Sequence, residues 1–507
     1  MRGVYSSVTD IRRKIFTEIA RMAYQADYSI IEELPYKIIP GETATYRESI
    51  FLERAIVGER LRLAMGLPLR RVDEHTLLSQ GISESAIAEK YYEPPLINII
   101  KFACHACPDN QVRVTDLCQG CLAHPCKEVC PKGAISIMNG KSVIDQEKCI
   151  KCGLCIKACP YSAIMKVQRP CAKACGMDAI LTDENGHADI DYDKCVSCGM
   201  CLVNCPFGAI SDKGQIFQAI TAMNQGQKVY AAIAPAFVGQ LGPKVTPEKL
   251  KGAMKKLGFE DVVEVAIGAD LCTLDEAHDF LEKVPEKQPF MATSCCPAWS
   301  VMAKKLYPEF KSYISMALTP MVLTARMIKR DHPDCKVVFV GPCAAKKLEA
   351  SRQSVRSDVD FVLTFEEIMG MFEAKDIHFD EIIEADPLIE ATAAGRGFAI
   401  SGGVATAVVE CIKKEYPDMD VKVHAEESLQ NCRKMLKDAK TGKYNGYLLE
   451  GMACPGGCIA GAGTLQPIAR ATGAVNKFKN SSEKKNAMES QYASLLEELL
   501  TKYEDVE

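Results

Sequence analysis

The chain has 507 residues, 48% hydrophobic and 25% charged, enough to bury a large core spread over two or three domains. A net charge of −5 leaves no cationic excess to neutralise phosphates, which argues against nucleic acid as a partner. Twenty-five cysteines in so long a chain read as reduced thiolates holding metal, not as a disulfide scaffold.

Residues 1–95 contain no cysteine and read as a helical N-terminal region, with capped amphipathic stretches over Thr9–Tyr24 and Glu48–Met65. The first of these carries Arg12, Arg13, Lys14 and Glu18 among Ile11, Ile15, Ile19 and Met22, a pattern of neither a signal peptide nor a membrane span. A cytoplasmic protein is the expectation. Residues 96–215 hold dense cysteine groups separated by short alternating pieces such as Ala134–Ile137, which suggests a small α+β fold organised around clusters. From 216 to 507 the texture changes. A helix over Ile216–Met223 leads into β-rich runs at Val229–Ala234, Val262–Ile267, Phe290–Thr293, Val337–Gly341, Phe361–Thr364 and Tyr447–Glu450, alternating with helical ones. That alternation predicts an α/β domain with mainly parallel sheets and a site at the strand ends. Near the C-terminus, Asn480 with Glu483 reads as a capping box before a packing helix through Met488, Tyr492, Leu495, Leu496 and Leu499.

Cys149-x2-Cys152-x2-Cys155-x3-Cys159-Pro160 and Cys195-x2-Cys198-x2-Cys201-x3-Cys205-Pro206 match the ferredoxin run, in which three close thiolates grip one cubane and the fourth reaches another. Cys118-x2-Cys121-x4-Cys126-x3-Cys130-Pro131 is a third, slightly expanded copy. Structural zinc is the alternative for paired cysteines, and the Cys-x3-Cys-Pro tails argue against it. Crossed ligation then joins Cys118, Cys121 and Cys126 to Cys159, and Cys149, Cys152 and Cys155 to Cys130. Cys195, Cys198 and Cys201 need a distant partner, for which Cys175 is the candidate. Cys104, Cys107, Cys171 and Cys205 remain. Two readings stand for them: a fourth cubane, or a zinc site or unligated thiols around Cys104-His105-Ala106-Cys107. Three or four clusters in one small domain would form an electron wire.

Three later segments resemble the three signatures of the FeFe (iron-only) hydrogenases: Thr293-Ser294-Cys295-Cys296-Pro297-Ala298-Trp299, Gly341-Pro342-Cys343-Ala344-Ala345-Lys346-Lys347-Leu348-Glu349, and Glu450-Gly451-Met452-Ala453-Cys454-Pro455-Gly456-Gly457-Cys458. The resemblance spans roughly residues 100 to 500. It implies an H-cluster, a 4Fe-4S cubane bridged to a di-iron subsite carrying carbonyl, cyanide and azadithiolate, with Cys296, Cys343, Cys454 and Cys458 as cubane ligands and Cys458 as the bridge. It further implies that Lys346 donates to a cyanide, that Pro235 and Ala236 line the bridge side, and that Met452 packs near the irons. Cys295 matches the family's proton-carrying thiol, and matching outward gives Glu276, Ser315, Asp279 and Lys283. Glu276 and Asp279 share a helix face at i, i+3. Asp279 and Lys283 depart from the family's usual glutamate and arginine, and read equally well as an ordinary charged helix face.

The implied activity is reversible interconversion of dihydrogen with protons and electrons, with ferredoxin or another redox protein as electron partner and dedicated maturation enzymes to build the di-iron subsite. Two signatures are altered. The family's Met-Pro-Cys-Thr is Gly341-Pro342-Cys343-Ala344 here, and its glycine triplet is Gly461-Ala462-Gly463. Competing readings are a hydrogen sensor with slow turnover, a cubane-binding iron-sulfur assembly factor and a plain polyferredoxin. Retention of Cys295, Lys346, Cys454 and Cys458 weighs against the assembly factor, and the length after the cluster region against the polyferredoxin.

Overall fold

The computed structural model describes residues 3–351, 357–383, 387–388 and 391–501. The first helix, Ser7–Gln25, starts where the Ser6 hydroxyl accepts the Thr9 N–H and ends on Ala26 in the left-handed region. Its apolar stripe, Ile15, Ile19 and Met22, is fully buried against the helix Phe365–Ala374. The N-terminal helices therefore share one core with the region from residue 216 onward. The second long helix, Ile50–Ala64, is capped by Ser49.

Between residues 97 and 212 eight strands of three or four residues pair only antiparallel: β1 (Ile97–Ile99), β2 (Gln111–Val114), β3 (Ile135–Met138), β4 (Lys141–Ile144), β5 (Ile164–Val167), β6 (Ile180–Thr182), β7 (Ala188–Ile190) and β8 (Ile210–Asp212). The pairing is nested. Hairpin β3–β4 lies within the outer pair β2–β5, and hairpin β6–β7 lies within the outer pair β1–β8. Two ferredoxin-like units result, and the first, residues 111–167, is inserted into the second between β1 and β6.

The remainder contains two parallel sheets. The first has the order β10-β9-β12-β13, from β9 (Val229–Ile233), β10 (Val262–Glu264), β12 (Lys336–Gly341) and β13 (Phe361–Thr364); the second has the order β11-β15-β14, from β11 (Phe290–Ala292), β14 (Lys422–Glu427) and β15 (Tyr447–Met452). β9 is buried along its whole length, as a strand covered by helices on both faces must be. Two expectations need correction. The apolar run Val262–Ile267 is strand only to Glu264, and Val265 opens the helix Val265–Lys283. The C-terminal capping box is Asn486 with Glu489, not Asn480 with Glu483, because residues through Ser481 still belong to the helix Ile468–Ser481. Among the described residues no helix is long and apolar enough to cross a membrane.

Candidate active site and its cysteine cavities

Four loops leave the carboxyl ends of β9, β11, β12 and β15 and converge on one cavity of about 90 Å³ between the two sheets. They deliver Pro235 and Ala236, Cys295 and Cys296, Cys343, and Met452, Cys454 and Cys458. Lys346, from the helix Ala345–Ser351, reaches the same cavity. Tight backbone is needed where the last loop turns. Gly457 has φ +95°, and a Cβ there would lie 2.6 Å from the Ser401 nitrogen. Trp299 is fully buried; its indole N–H donates to the Thr293 carbonyl at 2.9 Å, and a Cβ on Gly451 would fall on its ring.

The cavity wall is apolar apart from sulfur and Lys346. Burial raises the thiols of Cys295, Cys296 and Cys458 above their usual range and that of Cys343 to about 11. Thiols held this way do not ionise unaided, whereas a coordinated metal deprotonates its thiol ligand outright. A dry cavity ringed by cysteines thus suits a thiolate-bound metal group, and an iron-sulfur cluster fits that donor set. Burial also works against the charge of Lys346, but the Glu349 carboxylate, 2.7 Å away, overcomes it and leaves the lysine above its ordinary pKa. Glu349 is itself fixed by the Thr319 hydroxyl at 2.7 Å. The sequence offered no cue to Glu349 as this partner beyond its i+3 spacing.

Behind Cys295 stands Glu276, fully buried on the helix Val265–Lys283. Its Oε1 accepts the Ser294 N–H at 3.3 Å, while Oε2 is buried without a hydrogen bond. Burial pushes its carboxyl up to about 8, against the opposing Ser294 N–H and Ser315 hydroxyl. Ser315 accepts the Ala317 N–H at 3.1 Å, which leaves its own proton free to point at Glu276. Asp279 is ion-paired with Lys283 at 2.7 Å near the surface. Two acids had no role assigned from the sequence. Asp275, raised to about 6 by burial and then by Asp279, lies on the same helix. Glu450, raised to about 7 by burial, accepts the N–H groups of Gly402 and Ala405 at 2.7 and 2.9 Å and caps the helix Gly403–Glu415.

The other cysteines gather in separate pockets. One is lined by Cys130, Cys149, Cys152 and Cys155, a second by Cys104, Cys107, Cys171 and Cys205, and a third by Cys175, Cys195, Cys198 and Cys201. Cys118 and Cys126 meet at Ser142, and Cys126 and Cys159 share one small apolar cluster. Cys198 lines both the third pocket and the large cavity. The close approach depends on Gly199 at φ +75°, where a Cβ would sit 2.6 Å from the Cβ of Ala462 and 3.3 Å from that of Ala344.

Residues 227–462 match the family described as "Iron only hydrogenase large subunit, C-terminal domain", and residues 142–165 and 188–211 match the "4Fe-4S binding domain". The chain is 30% identical over 449 residues to iron hydrogenase 1 of Clostridium pasteurianum, covering 76% of this chain and 78% of that one. It is 29% identical over 281 residues to the large subunit of the periplasmic iron hydrogenase of Nitratidesulfovibrio vulgaris, covering 47% and 66%. More distantly, it is 28% identical over 279 residues to a probable cytosolic Fe-S cluster assembly factor of Aedes aegypti, covering 45% and 58%. Taken with the converging cysteine loops, the match along three quarters of both chains establishes that this protein belongs to the FeFe hydrogenase large-subunit family and carries a ferredoxin-type 4Fe-4S domain.

Proposed function

We propose that the protein is a hydrogenase that interconverts dihydrogen with two protons and two electrons, using an H-cluster held by Cys296, Cys343, Cys454 and Cys458. When bound, that group supplies the redox-active iron at which dihydrogen is formed or split. The observation that carries the reading is the Cys295 thiol, which lines the same dry cavity as these four sulfurs and has the partly unbonded Glu276 carboxyl behind it. A cubane-only assembly factor has no use for a proton route into that cavity.

Each side chain has a task. Cys295 passes a proton between the cavity and Glu276, and Ser315 carries it toward Asp279 and Lys283. Lys346, held cationic by Glu349, offers an N–H donor to anionic ligands on the irons. Pro235, Ala236 and Met452 keep water out, so that charge interactions inside are strong. Four accessory cubanes would be held by the crossed ligand sets. Three of these sets line pockets of their own, and the fourth is Cys118, Cys121, Cys126 and Cys159. Together they would supply an electron path from ferredoxin or another redox protein in the cytoplasm. Residues 96–215 form the wire and residues 216–507 the catalytic domain.

Infrared spectroscopy of the matured protein tests this directly. Intrinsic carbonyl and cyanide bands are expected, together with hydrogen evolution from a chemical reductant. Protein made without maturation enzymes should hold cubanes and evolve no hydrogen; substantial evolution from it refutes the assignment. Bands with only residual turnover favour the sensor instead.

A further inference from the structure

The pocket of Cys104, Cys107, Cys171 and Cys205 differs from its neighbours in the charge around it. Arg169 lines it with a side chain only 3% exposed. Nη2 donates to the Gly186 carbonyl at 3.3 Å, and Nε lies 4.0 Å from Asp109 Oδ1, beyond hydrogen-bond reach. Neither Nε nor Nη1 makes a hydrogen bond. Idle donors on a buried guanidinium are unfavourable unless an anionic acceptor sits before them.

Two further arginines come from the cysteine-free N-terminal region. Arg47 donates to the carbonyls of Ala103 at 3.0 Å and Phe207 at 2.9 Å, and Arg60 donates to that of Gly208. Ala103 precedes Cys104, while Phe207 and Gly208 follow Cys205, so both arginines clamp ligand loops of this pocket. Arg60 is buried, which brings its pKa down to about 10 and leaves it cationic near neutral pH. No arginine lines either of the other two accessory pockets, and the one around Cys175, Cys195, Cys198 and Cys201 has no basic side chain in its wall; the cation that reaches its ligand loops is Lys305, which donates to the Cys195 carbonyl at 3.4 Å from the exposed surface. That pocket is its partner within the second ferredoxin-like unit. Cys171, Cys201 and Cys205 belong to one packed cluster, with Cys195 against it.

We infer that Arg169 donates its Nε and Nη1 protons to a cubane held by Cys104, Cys107, Cys171 and Cys205, and with Arg47 and Arg60 sets that cubane's reduction potential above its neighbour's. The inference rests on the proposal of a fourth cubane. A cubane with four thiolates is an anion, and one electron from the adjacent cubane makes it more negative, so buried cations favour its reduced form. The two clusters of the unit therefore differ in potential, although their cysteine motifs are alike. Arg169 is a positioning residue for charge and not a ligand.

The test is a redox titration followed by electron paramagnetic resonance on the full chain, purified anaerobically with its cubanes but without the di-iron subsite. Iron analysis comes first. About twenty irons per chain are expected, four in each of four accessory cubanes and four at the catalytic site; about sixteen overturns the fourth cubane, and the inference with it. With the count in place, Arg169→Gln should move one cubane to lower potential and leave the others alone. At the wild-type midpoint its reduced-to-oxidised ratio should fall about tenfold, equivalent to 59 mV for a one-electron couple. Arg169→Lys keeps the charge but not the forked donors, and should shift the same cubane by less. An unchanged midpoint in Arg169→Gln with full iron overturns the role of Arg169 while leaving the fourth cubane standing. If Arg169→Gln loses that cubane, Arg169→Lys decides: a lowered midpoint supports the inference, and the wild-type value refutes it.

Discussion

The cluster-binding region and the catalytic region are stabilised in different ways. Around residues 111–167 the apolar core amounts to Val112, Ile135, Ile144 and Ile164 with cysteine sulfurs between them, and Leu117, Leu122 and Ile150 stand largely in solvent. In the catalytic region one cluster runs continuously from Val229 and Ile233 through Val338 to Phe361, Leu363 and Phe365, and even the N-terminal helix packs into it. Strands of three or four residues in two-stranded pairs are marginal by themselves, whereas a buried parallel sheet holds without help from metal. Iron-sulfur bonds are thus structural in the first region. In the second they are an addition to a fold that already exists.

Removing iron should give the largest effect. Anaerobic chelation until no cubane absorption remains is expected to abolish hydrogen-exchange protection over 104–205 while β9, β12 and β15 stay protected. Retained protection around Cys118 to Cys159 in the iron-free protein would break the comparison outright.

Next in size are two neighbouring thiols in the catalytic cavity. Cys296→Ala removes a cluster ligand and should erase the carbonyl and cyanide bands, yet leave the chain folded. Cys295→Ala should keep the bands and cost roughly 100- to 10,000-fold in turnover, the usual loss for one acid-base group; full activity would mean that protons enter by another route. Cys295→Asp should restore part of it. Glu276→Gln belongs to the same class, with one added reading. Burial keeps the Glu276 carboxyl protonated up to about pH 8, so the folded protein holds a proton that the unfolded chain releases above its ordinary pKa near 4.5. Stability from this group is therefore full at low pH and lost as pH rises through that window. Thermal melts of Glu276→Gln should show a flatter decline between about pH 5 and 8 than wild type; parallel curves would show that the carboxyl is not held protonated.

How much of this could be read beforehand follows the same divide. The catalytic strands other than β14 were legible because each contains a short apolar run between helical stretches, and β12 at Lys336–Gly341 lies within one residue of its expected start. β14, Lys422–Glu427, was missed because an edge strand reading Lys-Val-His-Ala-Glu-Glu has no apolar run. In the cluster region the cysteine spacings carried nearly everything, down to setting Cys104, Cys107, Cys171 and Cys205 apart as one group. Why Cys104-x2-Cys107 stands so far from Cys171-x3-Cys175 was not legible: a whole ferredoxin-like unit is inserted between them, which only the nested pairing of β1 with β8 and β2 with β5 reveals. Arg47, Arg60 and Arg169 carry no motif at all. Charges that act by burial become visible only once the chain is folded.

A smaller effect is expected from Cys152→Ala. Cys152 is the one exposed cysteine among the described residues, and its loss should remove about four irons without touching the infrared bands of the catalytic centre. Fading bands would show that the two regions depend on each other more than their cores suggest.

The smallest predicted effect probes the contrast between dry interior and wet surface within the proton route itself. Glu276 is fully buried, but the Asp279 and Lys283 side chains are 18% and 33% exposed and pair one helical turn apart. An i, i+4 ion pair at that exposure contributes about 0.3–0.5 kcal/mol, so Lys283→Gln should leave the melting temperature nearly unchanged and alter turnover by about twofold. Asp279→Asn removes an acid from a place that solvent reaches, and water can relay a proton there in its stead. Its loss should fall well short of that of Glu276→Gln, whose Oε2 has no hydrogen-bonded substitute. Hydrogen evolution from a chemical reductant, with infrared bands confirming equal assembly, ranks the three variants. If Asp279→Asn matches Glu276→Gln, the dry segment extends outward to Asp279, and the ion pair with Lys283 is a gate that every proton must pass.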